Sequence, residues 1–423
     1  MENTPYLYDT LLRVLGQHSN WLDLRHRKTL AWMMVGLICS KTVSLGAWTP
    51  FVVSQAQYAQ SLVRRFSRWL DNNRITVEPL YGPLIEQAVV GWVGKRMYVA
   101  LDTSMLWNTY CLIRLSVIYR GRAVPLVWRV IAHGSAAVSF ETYQDLLHEA
   151  KSRLPFACKV VFLADRGFAD TQLMGHLRGL GWHFRIRIKS TFWIYPSHLA
   201  PFQVGEIALK PGHMSCWQEV SITDKHFGPV HLAVARPLGS DEYWYVVSDE
   251  TAELKTVEEY GLRFDIEENF LDDKSNGFQL ESSLIRSAKA LERLCLVLAM
   301  TTLYLVSVGT SVVKKGHRRL VDPHWFRGSS YLKIGWNWVN YALNRGYELI
   351  TSVYLSSEPD PEPAMASKKQ DEKRRQARFV FEYQEAARKV EDLSFVNQPG
   401  ARGVSPPAEH SRQATRHSTG WAL

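Results

Sequence analysis

Cysteine is scarce in this chain of 423 residues: the five that occur are widely separated, and none forms a CxxC pair. Disulfide frameworks and structural zinc sites use closely spaced cysteines, so the sequence argues against both and favours a reducing compartment. The N-terminus also lacks a basic region followed by an apolar stretch, and we expect no signal peptide. Together these absences predict a cytoplasmic protein, associated with the nucleoid if its partner is DNA.

Acidic residues are fewer than basic ones in this chain. Lys and Arg number 50 against 41 Asp and Glu, and the sequence pI is about 9.2. A modest basic excess suggests a polyanionic partner such as nucleic acid, but it does not establish one. The length allows one large domain with appendages, or two or three domains.

Long uncharged stretches are also rare, with one exception. Residues 294–313 contain no charged side chain, which is long enough to span a bilayer. The run contains several Thr and Ser residues and Gly309, so we expect a helix buried against a sheet and no membrane partner. The alternative is a membrane span, which recovery of the protein in the soluble fraction would exclude.

Hydrophobic periodicity divides the chain into segments of different character. Residues 1–95 are mainly helical in pattern, and the predicted helix 55–72 carries Arg64, Arg65 and Arg68. A helix, a short turn and a helix with a basic surface fit a DNA-binding helical domain. An ordinary helical cap with solvated arginines is the alternative.

Residues 96–190 change to strands and then to alternating helix and strand. The predicted elements are strands 98–102, 111–119 and 123–133, with a hairpin turn at 120–122, then helix 140–153, strand 159–164, helix 171–180 and strand 183–188. Three antiparallel strands followed by this alternation predict a mixed α/β sheet.

The rest of the chain contains four further segments. Residues 191–250 are rich in aromatic residues, Gly and Pro and predict a β-rich insertion, after which residues 251–313 are helical. Residues 314–356 interleave cations with aromatic residues, which suits either DNA contact or aromatic core packing with exposed cations. Residues 357–423 form a charged, partly disordered tail by composition.

Three carboxylates are placed where metal-assisted chemistry is common. Asp102 and Asp165 are predicted to end two strands, and Glu267 lies on a predicted helix over residues 260–274. Three carboxylates without His or Cys favour Mg²⁺ or Mn²⁺. Two such ions can activate a water or a 3′-hydroxyl and stabilise the leaving oxygen. Taken singly, each acid could instead be a strand-end cap, a local ion pair or a solvated helix residue.

The predicted glutamate helix also carries a spaced set of polar residues. The spacing is Y-x2-R-x3-E-x6-K, formed by Tyr260, Arg263, Glu267 and Lys274. On one continuous helix they fall within roughly 60° of one another. One helix face would therefore present an acid, two cations and a phenol, which is what chemistry on a phosphate backbone needs.

These motifs together resemble a known family. LDTS at 101–104, ADRGF at 164–168 and the 260–274 spacing are similar to the DDE transposases of bacterial insertion sequences, and most similar to the insertion sequence four family with its Tyr-Arg-Glu-Lys signature. The resemblance implies a ribonuclease H-like α/β core interrupted by a β-rich insertion. It also implies two Mg²⁺ or Mn²⁺ ions, with Asp102 bridging them and Asp165 and Glu267 each holding one.

The resemblance assigns DNA-binding roles as well. Tyr260, Arg263 and Lys274 would grip phosphates near the transposon end, and Arg166 would act likewise. Trp244 occupies the position where hairpin-forming relatives stack a flipped base, although a core tryptophan is the alternative.

The expected activity is cut-and-paste DNA transposition. A homodimer would bind terminal inverted repeats, cleave the strands at each end and join the freed 3′-hydroxyl to target DNA. The alternatives are a ribonuclease H-like nuclease or resolvase without strand transfer, and an inactive DNA-binding derivative.

Overall fold

The computed structural model describes residues 3–19, 21–238, 241–324, 328–362 and 384–385. The predicted charged tail therefore lies outside the described residues from 363 onward, apart from 384–385. Trp325, Phe326 and Arg327 of the basic and aromatic segment lie outside them too.

Five helices precede the first strand. They are α1 (Thr4–Gly16), α2 (Leu24–Ser40), α3 (Leu45–Trp48), α4 (Ala59–Asp71) and α5 (Glu78–Val89). Helix α2 starts at a true N-cap, because the Asp23 carboxylate accepts a hydrogen bond from the Arg25 amide. Helix α4 is amphipathic: Phe66 and Trp69 are buried, whereas Arg64 and Arg68 are exposed. Arg64 and Arg68 therefore face outward from the core, whereas Arg65 of the same helix is partly buried.

The central sheet begins with an antiparallel meander and continues with parallel strands. Its elements are β1 (Arg96–Leu106), β2 (Tyr110–Tyr119), β3 (Arg122–Ala132), α6 (Phe140–Arg153), β4 (Lys159–Ala164), α7 (Thr171–Gly179) and β5 (His183–Arg187). The strand order is β3-β2-β1-β4-β5, with β1, β4 and β5 parallel. This order confirms the predicted ribonuclease H-like mixed α/β core.

The turn between β2 and β3 is a two-residue hairpin loop. Arg120 and Gly121 have φ of 49° and 75°, both left-handed. Two left-handed central residues are typical of the type I′ turn, whose twist matches that of a two-stranded hairpin. The predicted hairpin turn is confirmed.

The β-rich residues after β5 extend the same sheet. Their strands are β6 (Trp193–Tyr195), β7 (Phe202–Gln203), β8 (Met214–Ile222), β9 (Phe227–Ala235) and β10 (Trp244–Ser248). The last of them returns to pair antiparallel with β5, so the order continues β5-β10-β9-β8-β6-β7. A two-residue strand, β11 (Gln384–Glu385), pairs with β8 in parallel.

Within the described residues, four α-helices follow β10. They are α8 (Leu254–Gly261), α9 (Phe264–Leu271), α10 (Ala288–Lys314) and α11 (Tyr331–Arg345). By length and composition α10 could cross a bilayer, but its apolar window is 100% buried inside the protein. The predicted buried helix is thus confirmed, packed against β3 and α11.

In the 314–356 segment, aromatic residues and cations differ in burial. Tyr331, Trp336 and Trp338 on α11 are buried, whereas Lys333 and Arg345 on the same helix are exposed. For these residues the packing alternative is correct: the aromatic rings stabilise the core and only the cations reach solvent.

Helices α10 and α11 cross at two glycines. A Cβ added to Gly309 would collide with the Tyr331 carbonyl, and one added to Gly335 would collide with the Leu305 carbonyl. Both obstacles are backbone atoms, which cannot rotate away. The close approach of the two helices therefore depends on the missing side chains.

We expect Gly309→Ala to lower the free energy of unfolding by about 1–3 kcal/mol or more, because the helices must separate to admit the methyl group. Gly46→Ala is the matched control, since nothing lies within 4 Å of its added Cβ. That control is expected to be neutral or stabilising by up to about 1 kcal/mol. Equal urea midpoints for Gly309→Ala and the wild type would contradict this account of the crossing.

Candidate active site

Two of the three candidate acids are placed by the parallel pairing of β1 with β4. The register pairs Leu101 with Ala164. Asp102 and Asp165 directly follow these two paired residues, so they lie side by side at the carboxyl end of β4. Ligands gather at the carboxyl ends of parallel strands in such sheets, and this edge is the natural site.

Asp102 does not end its strand, which corrects the prediction. Strand β1 continues to Leu106 and stays paired with β2 up to Tyr110. The physical reason is strand pairing: residues 103–106 of β1 stay hydrogen-bonded to β2 after β4 has ended. Asp102 thus extends from the face of a rigid strand, and its cross-strand partner is Arg114.

The predicted continuous helix over residues 260–274 is also wrong. Helix α8 ends at Gly261, a turn follows, α9 starts at Phe264, and a five-residue π-helical turn covers Asp272–Asn276. At the break, the Arg263 amide donates to the Tyr260 carbonyl, a tighter bond than in an α-helix. Tertiary contacts cause this break, because side chains on both halves of the segment are held by the sheet.

The break and the π-helical turn change where the signature side chains point. Arg263 turns inward and is buried. Lys274 points to the β1–β2 hairpin, where its Nζ lies 2.5 Å from the Met105 carbonyl and 3.8 Å from Glu281. The signature residues therefore surround the acids from different sides and do not form one helix stripe.

Arg263 connects the glutamate to the first aspartate. Its Nη2 lies 2.5 Å from Glu267 Oε1, and its Nη1 lies 3.5 Å from Asp102 Oδ2. Glu267 is half-exposed, whereas the Arg263 side chain is only 4% exposed. The guanidinium therefore contacts both acids, closely at Glu267 and at the limit of hydrogen-bonding distance at Asp102.

The three acids form one electrostatic cluster. Burial raises the pKa of Asp102 to about 6, while the Thr103 amide and Arg263 act to lower it and the charges of Glu267 and Asp165 act to raise it. The charged form of Asp102 therefore destabilises the folded protein when no cation is nearby. A nearby cation would remove that cost.

The residues present fit a hard divalent cation. Asp165 Oδ1 is buried and has no hydrogen-bond partner, so it is an acceptor that an ion would satisfy. An all-carboxylate set is the donor chemistry of Mg²⁺ or Mn²⁺. Among the described residues, no three acidic, His or Cys side chains already converge tightly enough to hold an ion.

Tyr260 and Trp244 form the aromatic wall of the site. Tyr260 is fully buried, and its hydroxyl has no hydrogen-bond partner. The half-buried Trp244 on β10 lies edge-on to Tyr260 at 5.4 Å and tilted against Phe264 at 5.7 Å. The structure thus brings Trp244 to the signature residues, with part of its ring still accessible.

A cleft at the carboxyl end of β5 contains residues that the sequence interpretation missed. It has a volume of about 490 Å³ and is lined by Arg166, Arg187, Lys189 and by the hydroxyl-bearing residues Ser190, Thr191, Tyr243 and Tyr245, among others. The buried Arg187 donates to Glu242 at 2.6 Å, and its Nε has no partner. The alternating cations at 185 and 187 in β5, and at 189 just after it, were the available signal.

Replacing Asp102 by Asn tests the electrostatic description. An aspartate whose pKa is raised in the folded chain binds extra protons there, so its contribution to stability falls as pH rises from about 4 to about 6. In EDTA at about pH 8, Asp102→Asn should therefore raise the free energy of unfolding by about 1–3 kcal/mol.

The gain should shrink as pH falls towards about 5, where Asp102 becomes protonated and resembles asparagine. Urea denaturation at both pH values measures the difference. A variant less stable than the wild type at the higher pH would show that Arg263, rather than burial and repulsion, dominates at Asp102.

Comparisons with known proteins give one family match. Residues 109–304 match the family model described as "Transposase DDE domain". The matched segment includes Asp165 and Glu267 and starts seven residues after Asp102. No curated protein matches the sequence.

One solved structure is similar over most of its length: a cryo-EM structure of the piggyBac transposase synaptic complex with hairpin DNA. It covers 89% of this chain and 90% of that chain, at 10% identity and a TM-score of 0.41. A score that low carries no weight, so the fold assignment rests on the strand order. The family match supports a DDE transposase, and thereby DNA transposition in general by a polynucleotidyl transferase or nuclease, a class that generally depends on divalent metal ions.

Proposed function

We propose that this chain is a cut-and-paste transposase of the insertion sequence four type. It cleaves DNA strands at transposon ends and joins the freed 3′-hydroxyl to target DNA. The observation that carries the proposal is the adjacency of Asp102 and Asp165 across the β1–β4 pairing, with Glu267 linked to Asp102 through Arg263. The match of residues 109–304 to a transposase domain supports the same activity.

Asp102, Asp165 and Glu267 hold two Mg²⁺ or Mn²⁺ ions in this proposal. Asp102 interacts electrostatically with both other acids and would contribute to the site with each of them. When bound, the ions supply Lewis-acid activation of the attacking oxygen and charge stabilisation at the leaving oxygen. The orphaned Oδ1 of Asp165 and the raised pKa of Asp102 support this assignment.

Arg263 has two successive roles. In the protein alone it neutralises the acid cluster, and in the complex its guanidinium turns to a phosphate next to the scissile bond. Bound ions would supply positive charge at Asp102 and Glu267, and Arg263 would then be free to contact the phosphate. Arg263 can exchange a carboxylate for a phosphate because both groups accept two parallel N–H hydrogen bonds from a guanidinium.

The DNA backbone passes along the carboxyl edge of the sheet. Lys274 approaches from the β1–β2 hairpin, and Arg166 follows Asp165 directly. Arg187 and Lys189 continue this line of cations into the cleft beside β5. Trp244, in contact with Tyr260 and partly accessible, serves as the platform for an unstacked base. Cations spaced along one edge are what a phosphate backbone requires.

Recognition of the terminal inverted repeats falls to surfaces outside the core. The exposed Arg64 and Arg68 of α4 form one such surface, and the exposed Lys333 and Arg345 of α11 form another. Because two ends must be held at once, a homodimer is the working assembly. The expected location is the cytoplasm, at the nucleoid.

A cleavage and joining assay with a matched pair of variants tests the proposal. The substrate is labelled DNA carrying the element's ends, with Mg²⁺ or Mn²⁺ present. Glu267→Gln should lower the cleavage rate by about a hundredfold or more, because it removes a metal ligand. Glu268→Gln, a half-exposed neighbour that points away, should retain the wild-type rate.

The products separate the alternatives. Joined molecules identify a transposase, whereas cleavage without joining identifies a nuclease or resolvase. DNA binding by the wild type without cleavage would identify an inactive derivative. Equal effects of the two substitutions would refute the role given to Glu267.

A further inference from the structure

Arg114 is a buried charge in a strand whose other residues are uncharged. Every residue of β2 is buried, and Arg114 has 0% exposure. Its Nη1 donates to Asn269 Oδ1 at 2.8 Å and to Asp273 Oδ2 at 2.6 Å. Its guanidinium also lies 5.1 Å from the ring of Phe270. All three partners belong to α9 or to the π-helical turn that follows it.

Stability alone is a weak reason for such an arrangement. Burying an ion pair costs desolvation that the attraction between the charges barely repays, and apolar residues of similar size often serve as well. An ion pair nevertheless fixes distance and direction more sharply than apolar packing does. The arrangement is therefore better explained by what it positions.

The partners of Arg114 flank two functional side chains. Asn269 lies two residues after Glu267, and Asp273 immediately precedes Lys274. On the neighbouring strand, Arg122 of β3 holds Asp272 at 3.0 Å. The carboxyl half of the glutamate helix is thus attached to the meander at two adjacent points.

Arg114 is also the cross-strand partner of Asp102. Directly opposed residues of an antiparallel pair extend from the same face of the sheet. The β1–β2 pair therefore presents Asp102 and, beside it, the arginine that holds the helix of Glu267. The distance between Asp102 and Glu267 is therefore set through the contacts of a single side chain, Arg114.

We propose that Arg114 is a positioning residue, which sets the Glu267 carboxylate against Asp102 through its hydrogen bonds to Asn269 and Asp273. The inference rests on the proposed function, in which Glu267 is a metal ligand. Arg114 touches neither substrate nor metal. Its effect should therefore show in metal affinity as well as in DNA cleavage.

The test measures Mn²⁺ binding to the full chain without DNA, by isothermal titration calorimetry. Arg114→Lys keeps the charge but cannot span both partners, and it should weaken Mn²⁺ binding roughly 10–100-fold, as loss of a ligand-orienting group does. Arg318→Lys is the matched control. Its pair with Asp322 is equally buried, at 3% and 0% exposure, and it lies in the connection between α10 and α11.

Both lysine variants should lower the melting temperature, and only Arg114→Lys should change Mn²⁺ affinity. Equal losses of affinity in both, or no loss in Arg114→Lys, would overturn the inference. If Arg114→Lys does not fold, Asn269→Leu replaces it, because Arg114 then keeps Asp273 as a partner. Unchanged Mn²⁺ affinity in Asn269→Leu would equally overturn the inference.

Glu267→Gln is the reference that separates the two hypotheses. If this variant binds Mn²⁺ as tightly as the wild type does, the metal role proposed for Glu267 fails. If it binds weakly while Arg114→Lys binds normally, only the role proposed for Arg114 fails.

Discussion

The parallel pairing of β1 with β4 is the constraint on which the candidate site depends. Its register sets Leu101 opposite Ala164, and the two aspartates that follow are therefore neighbours. A shift of one residue would turn every side chain of one strand to the other face and separate the acids. The long β1–β2 hairpin supports this register, because β2 pairs with β1 from Val99 to Leu106, past the point where β4 ends.

Charge then determines how the rest of the site is arranged. Three acids brought together repel one another, and burial makes the charged form of Asp102 costly. Arg263 lies at the break between α8 and α9, and its positive charge offsets part of this cost. The break allows the Arg263 side chain to turn inward. The same acids that make the protein less stable at neutral pH are those that a divalent ion would stabilise. Function and stability are opposed at Asp102, as is common where groups are assembled for catalysis.

Local patterns predicted the fold well where local physics governs it. Helix α6 over Phe140–Arg153 and the turn at Arg120 and Gly121 agree with the sequence, because amphipathic periodicity and a left-handed turn are short-range properties. The mixed α/β order also follows from the succession of elements. The motif alone identified Asp102, Asp165 and Glu267, and the structure places the first two side by side.

Tertiary contacts account for what the sequence did not predict. The extension of β1 past Asp102 comes from pairing with β2, and the break in the glutamate helix comes from side chains drawn towards the sheet. Arg114 was missed for a related reason: a single cation in a buried strand has no local signature until its partners on a distant helix are known.

The most direct measurement is anomalous X-ray diffraction from crystals of the protein with end DNA and Mn²⁺. We expect manganese peaks at about 2.0–2.2 Å from carboxylate oxygens, the range for small hard divalent ions. Those oxygens should belong to Asp102, Asp165 and Glu267, with Arg263 turned to a phosphate. Manganese bound elsewhere, or Arg263 still joining Asp102 to Glu267 beside bound DNA, would contradict the account.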